Sequence, residues 1–375
     1  MSFFKFHIGD YMTADITLED IENLEDESYY EDDSEQHPPS DVIAYNELRS
    51  CSDLVRMYNE GTLNIQPDFQ RDIVWNSSAQ TRFIDSLIKQ LPIPSMCFSF
   101  DYNSQEWQVI DGLQRMTSII RFLSDPSWQL SKLDDIDSKI SGVRVSEFHK
   151  QKTELNNFYK RVQNLTIPVT VLRCDHSKLS HMEYLFTIFH RLNSGGTRLN
   201  NQEIRNCIFS GEFNNALKEM NEIDEWQKIA GLNTKNSNRF KYIELILRFF
   251  SFYDNKDKYK GTLSKFLNGY MKKNRHLGKS DIALKEDLFK RTVGLVWNKI
   301  LQPNPMRLGS SLMEALLYGV AKNIDLLEQE TSASLSQRFD DLRADNSLST
   351  AFLSGGVASK EKVDARLDAA LRIFG

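Results

Sequence analysis

Residues 109–123 read VIDGLQRMTSIIRFL, and the hydrophobic period changes within them. Trp107-Gln108-Val109-Ile110 has the length and composition of a short strand, and Asp111-Gly112 is a turn pair. From there Leu113, Met116, Ile120 and Leu123 fall on one helical stripe with Ile119 beside it, while Gln114, Arg115, Ser118 and Arg121 lie off it. The spacing therefore predicts a strand, a tight turn and a helix. A helix that begins at such a turn points its first N–H groups outward, and its macrodipole there favours an anion. Arg115 adds a fork of donors matched to phosphate oxygens, and Gln114 can donate or accept beside it. Asp111 has two readings, as N-cap of the helix or as holder of a divalent cation that bridges phosphates. Taken alone, the string is equally compatible with a solvated arginine after a common Asp-Gly turn.

The surrounding elements extend this pattern into a compact α/β unit that begins near residue 41. Ser77 and Gln80 have capping-box spacing, and Phe83, Ile84, Leu87, Ile88 and Leu91 recur at helical intervals before Pro92 and Pro94 stop the helix. Ser95–Phe100 is a second strand candidate. Residues 125–164 are polar and irregular, as expected of a helical or loop insertion. Leu165–Cys174 (LTIPVTVLRC) resumes a β-rich run, followed by a helix carrying Met182, Leu185, Phe186, Phe189 and Leu192. Asn193-Ser194-Gly195-Gly196-Thr197 then separates it from a helix that starts near Asn200, with Glu203 at capping-box distance. That loop reads either as an anion-binding concavity or as a glycine C-cap between helices. From residue 201 onward helical periodicity dominates. The expected architecture is α+β: an acidic arm over 1–40, a mixed domain over 41–200 and an all-helical domain over 201–375.

Composition limits the partners. Hydrophobic residues at 40% and charged residues at 26% match an ordinary globular chain, so most of it should fold. The net charge of −6 is concentrated in Glu19–Glu35, leaving a core near neutrality that neither requires nor forbids nucleic acid. The four cysteines form no CxxC pair and read as reduced thiols. With neither a signal peptide nor a long apolar run, a cytoplasmic location away from membranes is expected. His176, His181 and His190 are close in sequence, but the latter two do not share a helical face, which argues against a metal site.

A second string, Ile65–Trp75 (IQPDFQRDIVW), places Arg71 near Phe69 and Trp75, where its guanidinium either stacks or stands in solvent. In order, PDFQR…W, LPIP, VIDGLQRMTSIIRFL and IFHRLNSGGTRLNNQEIRN resemble the DUF262 family, found in GmrSD-type anti-phage restriction systems. The resemblance covers about residues 45–210 and continues through Arg239-Phe240-Lys241 to Arg248-Phe249-Phe250. It implies a ParB/sulfiredoxin-like domain that binds a nucleoside triphosphate with Mg²⁺. The family's Asp-Gly-Gln-Gln-Arg signature falls on Asp111, Gly112, Leu113, Gln114 and Arg115, and its Phe-Gln-Arg on Phe69, Gln70 and Arg71.

Carried over, Arg71 and Arg115 neutralise phosphates, Asp111 positions Mg²⁺ or the attacking water, and Gln114 orients that water. The remaining nucleotide contacts are Gln70, Gly112, Thr117, Asn193, Ser194, Gly195, Gly196 and Thr197. Leu113 departs from the signature, so one polar contact is lost, and binding is expected to survive better than hydrolysis. Many relatives carry a fused His-Asn-His nuclease, but residues 201–375 hold only His276, so a separately encoded nuclease partner is expected. Three readings follow: an NTP-hydrolysing regulatory subunit, a non-catalytic ParB-like DNA reader or nucleotide sensor, and an antitoxin-like partner acting through the acidic arm. A homo-oligomer is compatible with all three.

Overall fold

The computed structural model describes residues 39–65, 75–192, 200–231, 240–302, 305–306, 308–354 and 356–375. The acidic arm, Gln70, Arg71 and the 193–197 loop lie outside the described residues. Two compact units divide the chain, Gln36–Ile208 and Phe209–Gly375. The helix Asn201–Ile208, placed by its periodicity with the helical half, belongs to the first unit.

The first unit is α+β and holds a mixed five-stranded sheet. Its strands are β1 (Ile43–Ser50), β2 (Leu63–Asn64), β3 (Met96–Asp101), β4 (Trp107–Asp111) and β5 (Thr166–Cys174), in the order β1-β5-β3-β4-β2. β1 runs antiparallel to β5, β5 parallel to β3, β3 antiparallel to β4 and β4 parallel to β2. Its helices are α1 (Cys51–Asn59), α2 (Ser77–Ile88), α3 (Leu113–Ser124), α4 (Val145–Phe148), α5 (Glu154–Asn164), α6 (Leu179–Leu192) and α7 (Asn201–Ile208).

Strand alternation sorts the two faces of the sheet. Met96, Phe98, Val109, Ile167, Val169 and Val171 point into one core with Leu54, Ile84, Leu87, Met116, Ile119 and Phe122 from α1, α2 and α3. Each such side chain contributes roughly 1.5–3 kcal/mol on burial. On the opposite face, Gln108 of β4 donates to the backbone carbonyl of Cys207 at the end of α7, and α6 packs on β4. The irregular stretch after α3 supplies Trp128, Leu130 and Ile140 to the main core, which explains its retention in a compact unit despite weak patterning.

Several local expectations shift by a residue or more. The N-cap of α2 is Asn76, not Ser77: its Oδ1 accepts from Ala79 N at 2.8 Å, and Gln80 instead turns inward to accept from Arg121 Nη1. Leu91 lies beyond that helix and is exposed, because the chain has already left the α conformation at Gln90 (φ 55°). The α3 stripe centres on Met116, Ile119 and Phe122, with Leu113, Ile120 and Leu123 at its margins and Ser118 fully buried through a bond to Gln114 O. At α7 the predicted capping box is present in both directions: Asn200 Oδ1 accepts from Glu203 N at 2.8 Å, and Glu203 Oε2 accepts from Asn200 N at 2.7 Å.

The second unit is helical among its described residues. Its longer helices are α8 (Glu212–Asn221), α9 (Asp224–Gly231), α10 (Lys241–Asn255), α11 (Leu263–Asn274), α12 (Lys279–Leu295), α13 (Ser310–Lys322), α14 (Ser332–Ala344) and α15 (Lys360–Phe374). α13 packs on α15, where Gly319 permits a close approach: a Cβ there would stand 2.8 Å from Ala370 O. Arg366 and Glu314 join the same two helices, both about 1% exposed. No described helix is long and apolar enough to cross a membrane.

Candidate functional site

The strand–turn–helix predicted from residues 109–123 is β4, Gly112 and α3. Gly112 adopts φ 95°, ψ 14° and is itself the N-cap, so α3 starts without a capping side chain. Asp111 is thus the last residue of β4 and leaves the helix uncapped, and the first of its two readings fails. Glycine is required twice over at position 112. The backbone is left-handed, and a Cβ would meet Met96 Cγ at 2.5 Å. β3 and β4 pair Cys97 with Asp111 across a register shift between Cys97 and Phe98, which aims the end of β4 differently from the rest of the strand.

Asp111 and Arg115 meet at the turn. Arg115 Nη2 donates to Asp111 Oδ2 at 2.7 Å, and Nη1 donates to the carbonyls of Pro94 and of Ser95, the latter at 3.3 Å. Arg115 is the less exposed of the pair, at 13% against 34% for Asp111. The guanidinium thus closes on its own fold and fixes one carboxylate oxygen, while the other oxygen of Asp111 is engaged by no described residue. Arg115 is therefore not the solvated arginine of the plainer reading. The LPIP motif supplies one of the carbonyls that hold it.

Gln114 Oε1 accepts from Trp75 N at 2.9 Å, and the Trp75 ring packs edge-on against Phe83 at 5.5 Å. This contact, 39 residues apart in sequence, was not foreseen; the PDFQR…W string is its only signal. Because β2 runs parallel to β4, its carboxyl end faces the same way as Asp111. The described residues that flank 66–74 are thereby held near the turn on both sides. Leu113 packs against the apolar core, and Thr117 Oγ1 donates to Leu113 O at 2.9 Å, which turns its hydroxyl onto the helix backbone.

The histidines serve other ends. His181 is fully buried; its Nδ1 accepts from Asp175 N at 2.9 Å, so Nε2 carries the proton and faces Asp41 Oδ1 at 2.9 Å. Lys178 also binds Asp41, and these two hydrogen bonds hold the Asp41 carboxyl down to about 2. His176 lies 3.5 Å from Asp101 through Nδ1. Among the described residues no three His, Cys, Asp or Glu side chains converge as a metal site. All four cysteines are buried free thiols, and burial pushes those of Cys51, Cys97 and Cys174 up to about 12.

At the other end of α3, Tyr159 donates to Leu123 O at 3.0 Å beside an open cleft of about 550 Å³. Lys152, Lys160, His149, Asn156 and Gln163 line it. Neither lysine forms an ion pair among the described residues, and Lys152 takes the left-handed backbone at φ 64°. A twelve-residue helix separates this cleft from Asp111, roughly 18 Å at 1.5 Å per residue.

Fold and turn together define an α+β domain built around a strand–glycine–helix junction with a carboxylate presented beside an uncapped helix start. By sequence, residues 51–210 match the family described as GmrSD restriction endonuclease, N-terminal domain. The chain carries a GmrSD-type N-terminal domain of the DUF262 family. No curated protein and no solved structure matches it.

Proposed function

We propose that this chain is the nucleotide-binding, NTP-hydrolysing component of a restriction system, that its first unit is ParB/sulfiredoxin-like, and that it acts with a separately encoded nuclease. The observation that carries this reading is the Asp111 oxygen that no described residue engages, beside the uncapped start of α3. The dipole and N–H groups of that helix start favour a phosphate, and Asp111 offers one carboxylate oxygen to a cation arriving with it. Mg²⁺ fits such a site, because it is commonly held by one or two carboxylates together with substrate phosphates and water. When bound, it would supply neutralisation of the phosphate charge. Arg115 acts here by orienting Asp111, and phosphate neutralisation falls to Arg71, carried over from the family. Gln114 couples the helix start to Trp75, at the end of the segment that bears Arg71.

The test is phosphate release by purified protein from each nucleoside triphosphate with Mg²⁺, alongside thermal stabilisation by the same nucleotides. Turnover with at least one nucleotide, abolished by Asp111→Ala, is expected. Neither turnover nor stabilisation with any of them would overturn the reading.

A non-catalytic reading has one observation in its favour: Leu113 is committed to packing, and Gln114 Oε1 is committed to Trp75, so neither is free to hold a water. Stabilisation by nucleotide without turnover would select it. The DNA-reader version rests on the two unpaired lysines of the α5 cleft. It requires a salt-dependent affinity that a Lys152→Glu, Lys160→Glu double variant reduces.

A further inference from the structure

β1 is an eight-residue strand at the edge of the sheet, and β5 is its only strand partner among the described residues. The opposite edge is formed by β2, only two residues long. β1 is also open on both faces: Ile43 is 49% exposed, Tyr45 37% and Leu48 69%. Long edge strands with exposed apolar side chains template pairing with another chain, and folded proteins normally block them with charged side chains, lysine above all, with proline, a bulge or a covering element. Ile43–Ser50 holds no lysine, no proline and no bulge, and its two charges, Glu47 and Arg49, bond each other at 2.7 Å on one face of the strand.

The side chains indicate which strand fits. When a strand pairs antiparallel with its own copy about a twofold axis, each axis falls on one residue, which then faces itself. An axis at Glu47 or at Arg49 sets like charges opposite each other, which is unfavourable. An axis at Leu48 sets Glu47 opposite the partner's Arg49, and Arg49 opposite the partner's Glu47, on one face of the sheet. On the other face Leu48, the most exposed apolar side chain of the strand, meets its own copy at the axis. We propose that β1 pairs antiparallel with β1 of a second copy about an axis at Leu48, joining the two sheets into one. This surface is independent of the Asp111 turn, and its test does not depend on nucleotide.

Five residue pairs bury far less than the roughly 800 Å² per partner of a standard interface, so the dimer is of the weak class. The full chain should be followed by sedimentation from about 1 to 200 µM, spanning the micromolar range expected of such a contact. A concentration-dependent dimer is expected, with Leu48→Lys remaining monomeric at the top concentration and keeping the wild-type circular dichroism and melting temperature. Leu48→Cys should form a disulfide-linked dimer on mild oxidation, since residues at the axis lie within disulfide reach and the four native thiols are buried. Ile43→Cys, which faces the partner's helix instead of itself, should not. A wild-type monomer at every concentration would overturn the proposal, as would a dimer that persists in Leu48→Lys or fails to link through Leu48→Cys.

Discussion

Two carboxylate–guanidinium pairs in this chain are built from the same groups for opposite ends. Glu314 Oε1 accepts from Arg366 Nε at 2.9 Å and Nη2 at 2.7 Å, and Arg366 Nη1 donates to Val357 O at 2.7 Å. Both side chains are sealed between α13 and α15 at 1% exposure, with Glu314 Oε2 buried and without a partner. At the turn, Arg115 is nearly closed off by two carbonyls, but Asp111 keeps 34% of its side chain exposed and one oxygen engaged by no described residue. A sealed pair holds helices together and has little left for a ligand. A half-open pair adds little stability and retains a directed charge.

The comparison can be broken most sharply at the sealed pair. Arg366→Ala leaves the Glu314 carboxylate buried without its partner and is expected to cost about 3–5 kcal/mol, read by urea unfolding. The double variant Glu314→Leu, Arg366→Met should recover most of that loss, because apolar groups of similar volume need no partner. If the double variant is as unstable as the single, the pair is not the self-contained unit described.

Next in size is Gly112→Ala. It adds left-handed strain of about 1–2 kcal/mol and forces Met96 to move, for a total near 2–4 kcal/mol. Calorimetry on this variant sharpens the contrast, because the half-open pair is held by backbone geometry more than by its own charge. Asp111→Asn keeps the shape of the turn and should change stability by less than about 1 kcal/mol, as expected of a pair reached by solvent. Thermal shift with NTP and Mg²⁺ should nonetheless be lost. A large fall in stability without nucleotide would place Asp111 with the sealed pair.

The mildest perturbation is acid. Asp41 sits well below the ordinary carboxylate value, at about 2, so its bonds to Lys178 and His181 contribute fully above pH 4 and fade as pH falls through 4 towards 2. The urea midpoint of the wild type should drop over that window, and Asp41→Asn should flatten part of the drop. An unchanged profile in the variant would show that the contact contributes nothing measurable.

What could be read in advance follows from how strongly each element depends on one face. The turn at 109–123 and the α2 stripe were legible because burial on a single side imposes a period. The Asn200/Glu203 cap was legible because its chemistry is local. β1 was missed: exposed on both faces, IAYNELRS has no apolar alternation to detect. The placement of Phe122 is not legible from a stripe that starts at Leu113, because Leu113 only borders the core. Asp111 and Arg115 sit four residues apart at a helix start, so their meeting was implicit in the spacing. The bond from Trp75 to Gln114 joins distant segments and has no local trace.

The strand missed in sequence also dictates an order of assembly. β1 is synthesised first, yet Ile43 pairs with Arg173 and Ser50 with Thr166, at the far end of the domain. Nothing made in between can satisfy its backbone. On the ribosome that strand must wait, its backbone N–H and C=O groups without their ladder, until nearly the whole domain has emerged, and contacts this remote in sequence make for slow refolding after dilution from denaturant.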